Sequence, residues 1–193
     1  GRIKYSKIQQ VIDNTDTAIT SNITKVIIRR DLKPEFNKFA QYELCYGNQF
    51  HVNAKGYNIK STGFKISGES DTVYFTDVPN EDMLTGTISV LKSDKERIII
   101  KSAGTVDYVK GEILLNTLNI TSTSLSSGVI EIQAFPESND VVGLRDLYVS
   151  LSIGKSTINM VRDVIASGDE ISGTRFVKDF YTSSYSNGSL IRE

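Results

Sequence analysis

The chain has 193 residues, a net charge of −1 and a hydrophobic fraction of 39%. This length allows one domain or two small ones, and the composition is not that of a disordered protein. The near-neutral charge provides no overall basic field for nucleic acid, and the single cysteine, Cys45, excludes an internal disulfide. No apolar run approaches the roughly 20 residues that cross a bilayer. Because the chain starts at Gly1 without a leader, we expect a piece of a longer protein and no signal peptide.

The N-terminal part predicts one short helix and then a series of strands. Apolar residues such as Ile8 and Val11 recur at helical spacing over residues 3–13, and the helix is expected to end near Asn14. Short runs rich in β-branched and aromatic residues follow, separated by glycine, proline and asparagine. They predict strands at residues 25–30, 57–60, 63–66, 72–75 and 85–91, a strand followed by a turn within residues 42–48, and a turn at 93–96.

The best hairpin signal lies at residues 98–120, IIIKSAGTVDYVKGEILLNTLNI. Two apolar runs flank Tyr108-Val-Lys-Gly-Glu112, which is typical of a three-residue hairpin loop. Gly111 is expected to take the left-handed position, where a residue with a Cβ would cost more. The strand-rich remainder can be built around this hairpin as an antiparallel sheet.

The C-terminal part predicts another strand, another hairpin and a tail. Residues 128–135 alternate, with Ile130, Ile132 and Ala134 on one face, and a turn follows at 137–140. Residues 147–153 and 156–161 predict a second hairpin, and residues 166–193 an extended polar tail. We therefore predict an α+β fold, predominantly antiparallel β with a short N-terminal helix and an irregular C-terminal tail. The predicted organisation is a β-rich region at 1–100, a hairpin-rich region at 101–165 packed on it, and the tail.

No catalytic, cofactor-binding or metal site is predicted. His51 is the only histidine and is interpreted as a surface or loop residue, while Cys45 is expected to be a small buried hydrophobe. A Cys45–His51 catalytic pair lacks a recognisable orienting acid or oxyanion hole. The acidic side chains that cluster loosely along the chain do not match a calcium loop, and a solvated rim is expected. They are Asp71, Asp77, Glu81 and Asp82.

Anion-binding signals are equally weak. Residues 149–156 end like a phosphate-binding loop, but the motif needs glycine where Val149 stands, so a hairpin turn is favoured. The basic runs at residues 29–30 and 92–97 are interrupted by acids, which favours solvated faces over phosphate contacts. The tail carries four aromatic side chains that anchor on a neighbour or pack back on the chain, two alternatives that the sequence leaves open. They are Phe176, Phe180, Tyr181 and Tyr185.

Three stretches together carry a family resemblance. They are residues 16–22 before the strand at 25–30, residues 104–115, and residues 130–136 with 139–141 and 145–146. The pattern of an aliphatic residue and Asp-Tyr-x-x-Gly-x-Ile-x-Leu, a strand ending at proline, and then Asp-Val resembles one known group. It is similar to the C-terminal part of the baseplate wedge ring proteins of T-even-type contractile-tailed phages, in the baseplate J-like family. The resemblance covers roughly residues 15–165, and its motifs are structural.

The resemblance implies a structural virion component and not an enzyme. Such a protein would be made in the bacterial host cytoplasm as a late protein and would reside in the tail baseplate. It would form a homodimer through isologous contacts, and heterologous contacts with itself and other wedge proteins would close a ring. No nucleic acid, membrane or small-molecule substrate is expected as a partner. The alternative is a β-rich ligand- or carbohydrate-binding module of a tail or fibre protein, and a hydrolase fragment using two carboxylates is a further reading.

Overall fold

Antiparallel strands predominate in a computed structural model of the chain, which describes residues 2–17, 19, 21–92 and 98–143. Every pairing between described strands is antiparallel, which confirms the predicted β-dominated α+β class. The predicted turn at 93–96, hairpin at 147–161, phosphate-loop-like residues 149–156 and tail at 166–193 lie outside the described residues. The elements are α1 (Tyr5–Asp13), β1 (Arg2–Ile3), β2 (Ile28–Leu32), β3 (Phe39–Cys45), β4 (Lys60–Ser61), β5 (Phe64–Ile66), β6 (Val73–Pro79), β7 (Thr85–Lys92), β8 (Ile98–Asp107), β9 (Glu112–Thr123), β10 (Ile130–Ala134) and β11 (Val141–Val142).

Five strands close into a small barrel. β5 pairs with β6, and the sheet continues through β7 and β8 to β9. The far half of β9 then pairs with β5, which closes the ring. β3 pairs with β9 outside this ring, and β4 connects β6 to β10, which in turn pairs with β2. Strands from the ranges 1–100 and 101–165 thus hydrogen-bond to one another within one sheet.

The barrel interior is filled by the alternate residues of its strands. One cross-strand layer runs from Asp77 to Ile88, Gly104 and Leu115, which are directly paired in the ladder, and all four are buried. The large side chains that fill the core are fully or almost fully excluded from solvent. They include Phe50, Ile59, Phe64, Phe75, Tyr108, Ile113 and Ile120.

The hairpin turn forms at the predicted place with Gly111 in the left-handed conformation, but its loop has four residues instead of the expected three, because Asp107 pairs directly with Glu112. Gly111 has φ +69°, and its N–H donates to the Asp107 carbonyl oxygen at 2.9 Å. A Cβ at this position would overlap the Asn48 carbonyl oxygen, so the turn needs glycine for contact as well as for conformation. This close approach fixes the loop before β4 against the hairpin.

The predicted helix and the β10 pattern are also confirmed. α1 ends at Asp13 with Asn14 as its C-cap, and the Asp140 carboxylate accepts a hydrogen bond from the Tyr5 N–H at 2.9 Å, at the helix N-terminus. In β10, Ile130, Ile132 and Ala134 are buried and the residues between them are partly exposed.

Several predicted strand limits were wrong. The strand expected at 25–30 is β2, three residues later at its start, because its ladder with β10 runs from Ile28 to Leu32. The strand expected at 57–60 is reduced to β4, since Tyr57 has φ +67°. β9 extends into the loop expected at 121–127 because Ser122 and Thr123 pair with β5. The two-residue pair β1–β11 was missed, as it depends on contacts between distant ends of the described chain.

Candidate functional site

The turn end of the barrel, where the β6–β7 and β8–β9 connections meet, encloses a buried carboxyl group. Asp77 accepts hydrogen bonds from the Ile59 N–H at 2.6 Å and the Tyr108 hydroxyl at 2.7 Å, and it is fully buried. Burial raises the pKa of Asp77, and the two donors oppose that rise only in part. The interpretation of Asp77 as part of a solvated rim was therefore wrong.

This buried group is a structural connection rather than a reactive centre. Tyr108 is only 1% exposed, so no substrate reaches the Asp77–Tyr108 pair from solvent. The pair joins β6 to the β8–β9 turn, while the Ile59 N–H adds the loop before β4. The Asp-Tyr-x-x-Gly motif thus supplies fold-determining contacts: the Asp107 carboxylate accepts from the Lys110 N–H at 2.9 Å, Tyr108 binds Asp77, and Gly111 permits the close approach.

The cysteine and the histidine have different partners. The His51 ring lies 3.0 Å from the Glu137 carboxylate, and both side chains are more than half exposed, which agrees with a surface histidine. Cys45 is only partly buried, contrary to expectation, because it lies on the face of β3 opposite to the buried Leu44. Its Sγ lies 3.5 Å from the Glu43 carboxylate, and desolvation raises the pKa of the thiol. A thiol with a raised pKa is a poorer nucleophile, which weakens the catalytic-pair reading.

The remaining acidic residues are not gathered into one site. Asp71 and Glu69 form ion pairs with Lys92 at 2.8 and 3.1 Å. Asp82 accepts from the N–H groups of Leu84 and Thr85, both at 3.0 Å, and these donors lower the pKa of Asp82. Among the described residues, no three histidine, cysteine or acidic side chains lie close enough to hold a metal ion. The acids support turns and ion pairs instead.

Both arginines of the basic pair at residues 29–30 have local partners. Arg29 forms ion pairs with Asp31 at 3.0 Å and with Glu131 at 2.9 Å. The Arg30 side chain donates to the Cys45 carbonyl oxygen at 3.1 Å. These contacts connect β2 to its neighbours, and the two acids offset the charge of Arg29. Lys95 and Arg97 lie outside the described residues.

The outer surface of the turn end is apolar, and we call it the tip patch. Five large hydrophobic side chains there are 38–56% exposed. The Tyr108 N–H donates to the Leu84 carbonyl oxygen at 2.9 Å, and the Tyr57 N–H donates to the Asp77 carbonyl oxygen at 3.1 Å, so separate connections meet at this end. The tip patch consists of Tyr57, Val78, Met83, Leu84 and Val109.

Two residues of the tip patch have an unfavourable backbone conformation. Tyr57 has φ +67° and Met83 has φ +54°, in the left-handed region. For a residue with a Cβ this conformation costs roughly 1–2 kcal/mol, whereas glycine adopts it readily. Strained backbone positions of this kind are concentrated at functional sites. A large exposed side chain at each of these two positions therefore indicates a role in binding. Glycine at either position would relieve the strain and stabilise the fold.

A shallow groove lies towards the other end of the barrel. It has a volume of about 210 Å³, and its apolar lining is Phe39, Ile66, Ile100 and Leu118. Phe39 is 73% exposed. The side-chain oxygen of Asn119, which also lines the groove, is buried and accepts no hydrogen bond from any described residue. We call this surface the groove.

The charged residues beside the two surfaces are arranged differently. Three lysines, Lys38, Lys65 and Lys101, are direct chain neighbours of groove residues, and all three are exposed. The loop that carries Met83 and Leu84 has the sequence Pro79-Asn-Glu-Asp-Met-Leu-Thr85, with two acids and no base. The loop is therefore locally acidic, whereas the chain around the groove carries both signs of charge: Lys38 is ion-paired with Glu35 at 2.8 Å, and Glu69 lies two residues after Ser67 of the groove.

Comparison with known proteins adds no relative. No family model matches the chain, and no curated protein or solved structure is significantly similar to it. In the part of the chain that the structure describes, no helix is long and apolar enough to cross a membrane.

Sequence reasoning missed both surfaces. Met83 and Leu84 form an apolar pair inside a polar hairpin loop, and that pair was a usable signal for exposure. Phe39 gave no signal, because strand alternation does not tell which face remains open to solvent. Neither surface contains the residues that were weighed for catalysis.

Proposed function

We propose that the chain is a structural component of a phage tail baseplate, which self-associates and joins baseplate wedges into a ring. The sequence resemblance supplies the biological setting, and its central motif coincides with the contacts of Tyr108 and Gly111 that determine the fold. A protein that shares this motif is expected to share the hairpin geometry, since each residue of the motif has a physical task.

The observation that carries the proposal is the exposed tip patch. A hydrophobic side chain on the surface is common singly, but a cluster of them at one end, two in left-handed backbone, is typical of an interaction site. Burial of such side chains in a partner gains roughly 25 cal/mol for each Å² removed from water. Association would therefore offset the free-energy cost of exposing these side chains to water and of the left-handed backbone at Tyr57 and Met83.

Strand edges provide a second route to self-association. β3 has seven residues and pairs, among the described strands, only with β9. An edge strand of this length presents backbone donors and acceptors to another chain. The proposed assembly therefore includes an isologous homodimer contact as well as heterologous contacts with the chain itself and with other wedge proteins. The proposed location is the virion, after synthesis in the host cytoplasm.

The proposal includes no catalytic step, substrate or cofactor. The side chains weighed for catalysis lie in separate places and are engaged in local contacts: Cys45 with Glu43, His51 with Glu137, and Asp77 with Tyr108. Chemistry requires a nucleophile, a base and an orienting group within hydrogen-bond reach of one another. An assembly role makes no such demand.

Labelling of virions tests the proposed location. Gold-conjugated antibodies raised against the purified chain are expected to decorate the baseplate end of the tail in particles of the phage that encodes it. Label on the capsid, or a chain absent from purified particles, would contradict the proposal. Antibodies against the major capsid protein of the same particle provide the control for access and labelling.

A ligand- or carbohydrate-binding module of a tail or fibre protein is the second candidate, and the groove favours it. An exposed aromatic ring beside an apolar floor is suited to one face of a sugar. Binding to a glycan array that Phe39→Ala abolishes and Val11→Ala leaves intact would support this function. Absence of binding across the array would remove its support.

A further inference from the structure

The tip patch is held in place around one buried pair, Asp77 and Tyr108. The Tyr57 N–H donates to the Asp77 carbonyl oxygen at 3.1 Å, and the Tyr108 N–H donates to the Leu84 carbonyl oxygen at 2.9 Å. The remaining three residues of the patch are chain neighbours of Asp77, Tyr108 and Leu84. They are Val78, Val109 and Met83. Since the Tyr108 hydroxyl donates to the Asp77 carboxyl group at 2.7 Å, the three connections that carry the patch all meet at this pair.

The partners of the Asp77 carboxyl group are uncharged. The loop before β4 contributes backbone groups of Asn58 and Ile59, and the hairpin turn contributes the Tyr108 hydroxyl. Burial raises the pKa of Tyr108, so this hydroxyl keeps its proton at neutral pH. β7, β8 and β9 add three residues that do not titrate to the same layer of the barrel: Ile88, Gly104 and Leu115. An ionised Asp77 is therefore a buried charge among uncharged groups, which is unfavourable.

The charged side chains on the same connections are engaged at the surface. In the hairpin turn, Lys110 lies 3.6 Å from Asp107, and Lys55 in the loop before β4 is exposed. In the β6–β7 connection, Glu81 is exposed, and Asp82 accepts hydrogen bonds from N–H groups of its own loop. Burial thus remains the largest influence on the proton affinity of the enclosed carboxyl group.

The connections around the pair are opened more easily than the strands below them. Tyr57 and Met83 have a left-handed backbone, so local opening relieves strain that the closed tip bears. The strands below are held by continuous ladders, such as the pairing of β6 with β7 along Val73–Pro79. Free energies of local opening range from near zero up to that of global unfolding. Opening of the tip can therefore occur without unfolding of the barrel.

We infer that the Asp77–Tyr108 pair is a proton-dependent switch for the tip patch. The patch is closed while Asp77 carries its proton, and ionisation of Asp77 favours opening of the three connections. This inference goes beyond the proposed function, because it concerns the conformation of a single chain and requires no partner.

The direction of the switch follows from burial. In the closed tip, burial raises the pKa of Asp77, whereas opening exposes the carboxyl group to water and restores its ordinary pKa. Between these two values, the closed form binds a proton that the open form has released. The resulting stabilisation of the closed form is present below the ordinary value, near pH 4, and is lost as the pH rises through the raised value.

Amide hydrogen exchange of the full chain, followed by NMR from about pH 4 to pH 8, tests the inference. Exchange rates are corrected for the intrinsic effect of pH on amide chemistry. The N–H groups of Tyr57, Ile59 and Tyr108 report on the tip, and those of the β2–β10 ladder provide the reference. Protection of the tip amides is expected to fall several-fold relative to the ladder as the pH rises.

Two variants assign the effect to the pair. Asp77→Asn keeps the shape without a titrating group, so protection of the tip is expected to be independent of pH. Tyr108→Phe removes a donor that lowers the pKa of Asp77, so the loss of protection is expected to move to higher pH. Tyr46→Phe is the matched control, because its buried hydroxyl donates to the Ile132 carbonyl oxygen at 2.8 Å. It should retain the wild-type profile, and circular dichroism would verify the fold of each variant.

Three results would overturn the inference. Protection of the tip that is constant with pH in the wild-type chain would show that ionisation of Asp77 does not open it. A parallel loss of protection in the tip and the ladder would show that ionisation acts on the whole fold. A pH profile of Asp77→Asn equal to that of wild type would assign the effect to another group. The proposed function would stand in each case, since it does not depend on this switch.

Discussion

At the turn end of the barrel the interior contains a polar carboxyl group and the exterior is apolar, which is the reverse of the usual arrangement. Asp77 is fully buried, whereas the next residue, Val78, is 44% exposed. Inside, the carboxyl group accepts hydrogen bonds from Tyr108 and Ile59. Outside, apolar side chains face solvent on connections that the same hydrogen bonds hold in place.

The buried carboxyl group stabilises the fold, whereas the exposed tip patch is suited to binding a partner. The buried carboxyl group has its hydrogen-bond partners within the chain. Its desolvation cost and its hydrogen bonds therefore both contribute to the free energy of folding. The tip patch gains nothing from folding, and Met83 and Tyr57 bear a backbone cost as well. Substitutions inside should therefore alter stability, and substitutions outside should alter association.

Removal of the buried carboxyl group should have the largest effect. Asp77→Ala leaves the Tyr108 hydroxyl and the Ile59 N–H without an acceptor and opens a cavity, and each unpaired group costs about 1–3 kcal/mol. We expect the free energy of unfolding, measured by urea denaturation, to fall by about 2–5 kcal/mol. Asp77→Asn keeps the shape and one acceptor, and should lose clearly less. Equal losses in the two variants would contradict the assigned hydrogen bonds.

The hairpin turn should be almost as sensitive. Gly111→Ala adds a Cβ that overlaps the Asn48 carbonyl oxygen in addition to the strain of φ +69°, and should lower the free energy of unfolding by about 2–4 kcal/mol. Gly68→Ala is the matched control, because Gly68 has φ +86° with no atom within 4 Å of the added Cβ. It should lose only about 1 kcal/mol. Similar losses at both positions would show that the Asn48 contact is unimportant.

The pH dependence of stability should report the raised pKa of Asp77. Between its ordinary value and its raised value, the folded state binds the proton that the unfolded state has released. Its contribution to stability is therefore present below the ordinary value, near pH 4, and is lost as the pH rises through the raised value. Compared with Asp77→Asn, wild type should become progressively less stable as pH rises from about 4. A difference between the two chains that is constant with pH would contradict the raised pKa.

The smallest effect on stability is expected at Met83, where the effects on stability and on self-association should be most clearly separated. Met83→Gly relieves the left-handed strain, so the free energy of unfolding should stay unchanged or rise by up to about 1 kcal/mol. Self-association should weaken at the same time, because the exposed side chain is lost. Met83→Leu, which keeps an apolar side chain at the same backbone angle, should preserve association. A Met83→Gly chain that associates as wild type does would remove Met83 from the interface.

Local patterns predicted the elements well and long-range contacts poorly. The turn at Gly111 and the alternation in β10 depend on residues close in sequence, so both were predictable. The burial of Asp77 was not predictable, because its side chain accepts hydrogen bonds from residues 18 and 31 positions away in the sequence. The exposure of Phe39 depends on which face of β3 remains uncovered, which alternation alone does not reveal.

The most direct test of self-association is the solution mass of the wild-type chain, measured by light scattering over about a tenfold concentration range. Exposed apolar surfaces at both ends of the barrel predict a dimer or larger species whose mass increases with concentration. A mass equal to the 21.4 kDa of one chain at every concentration would contradict self-association as the purpose of these surfaces.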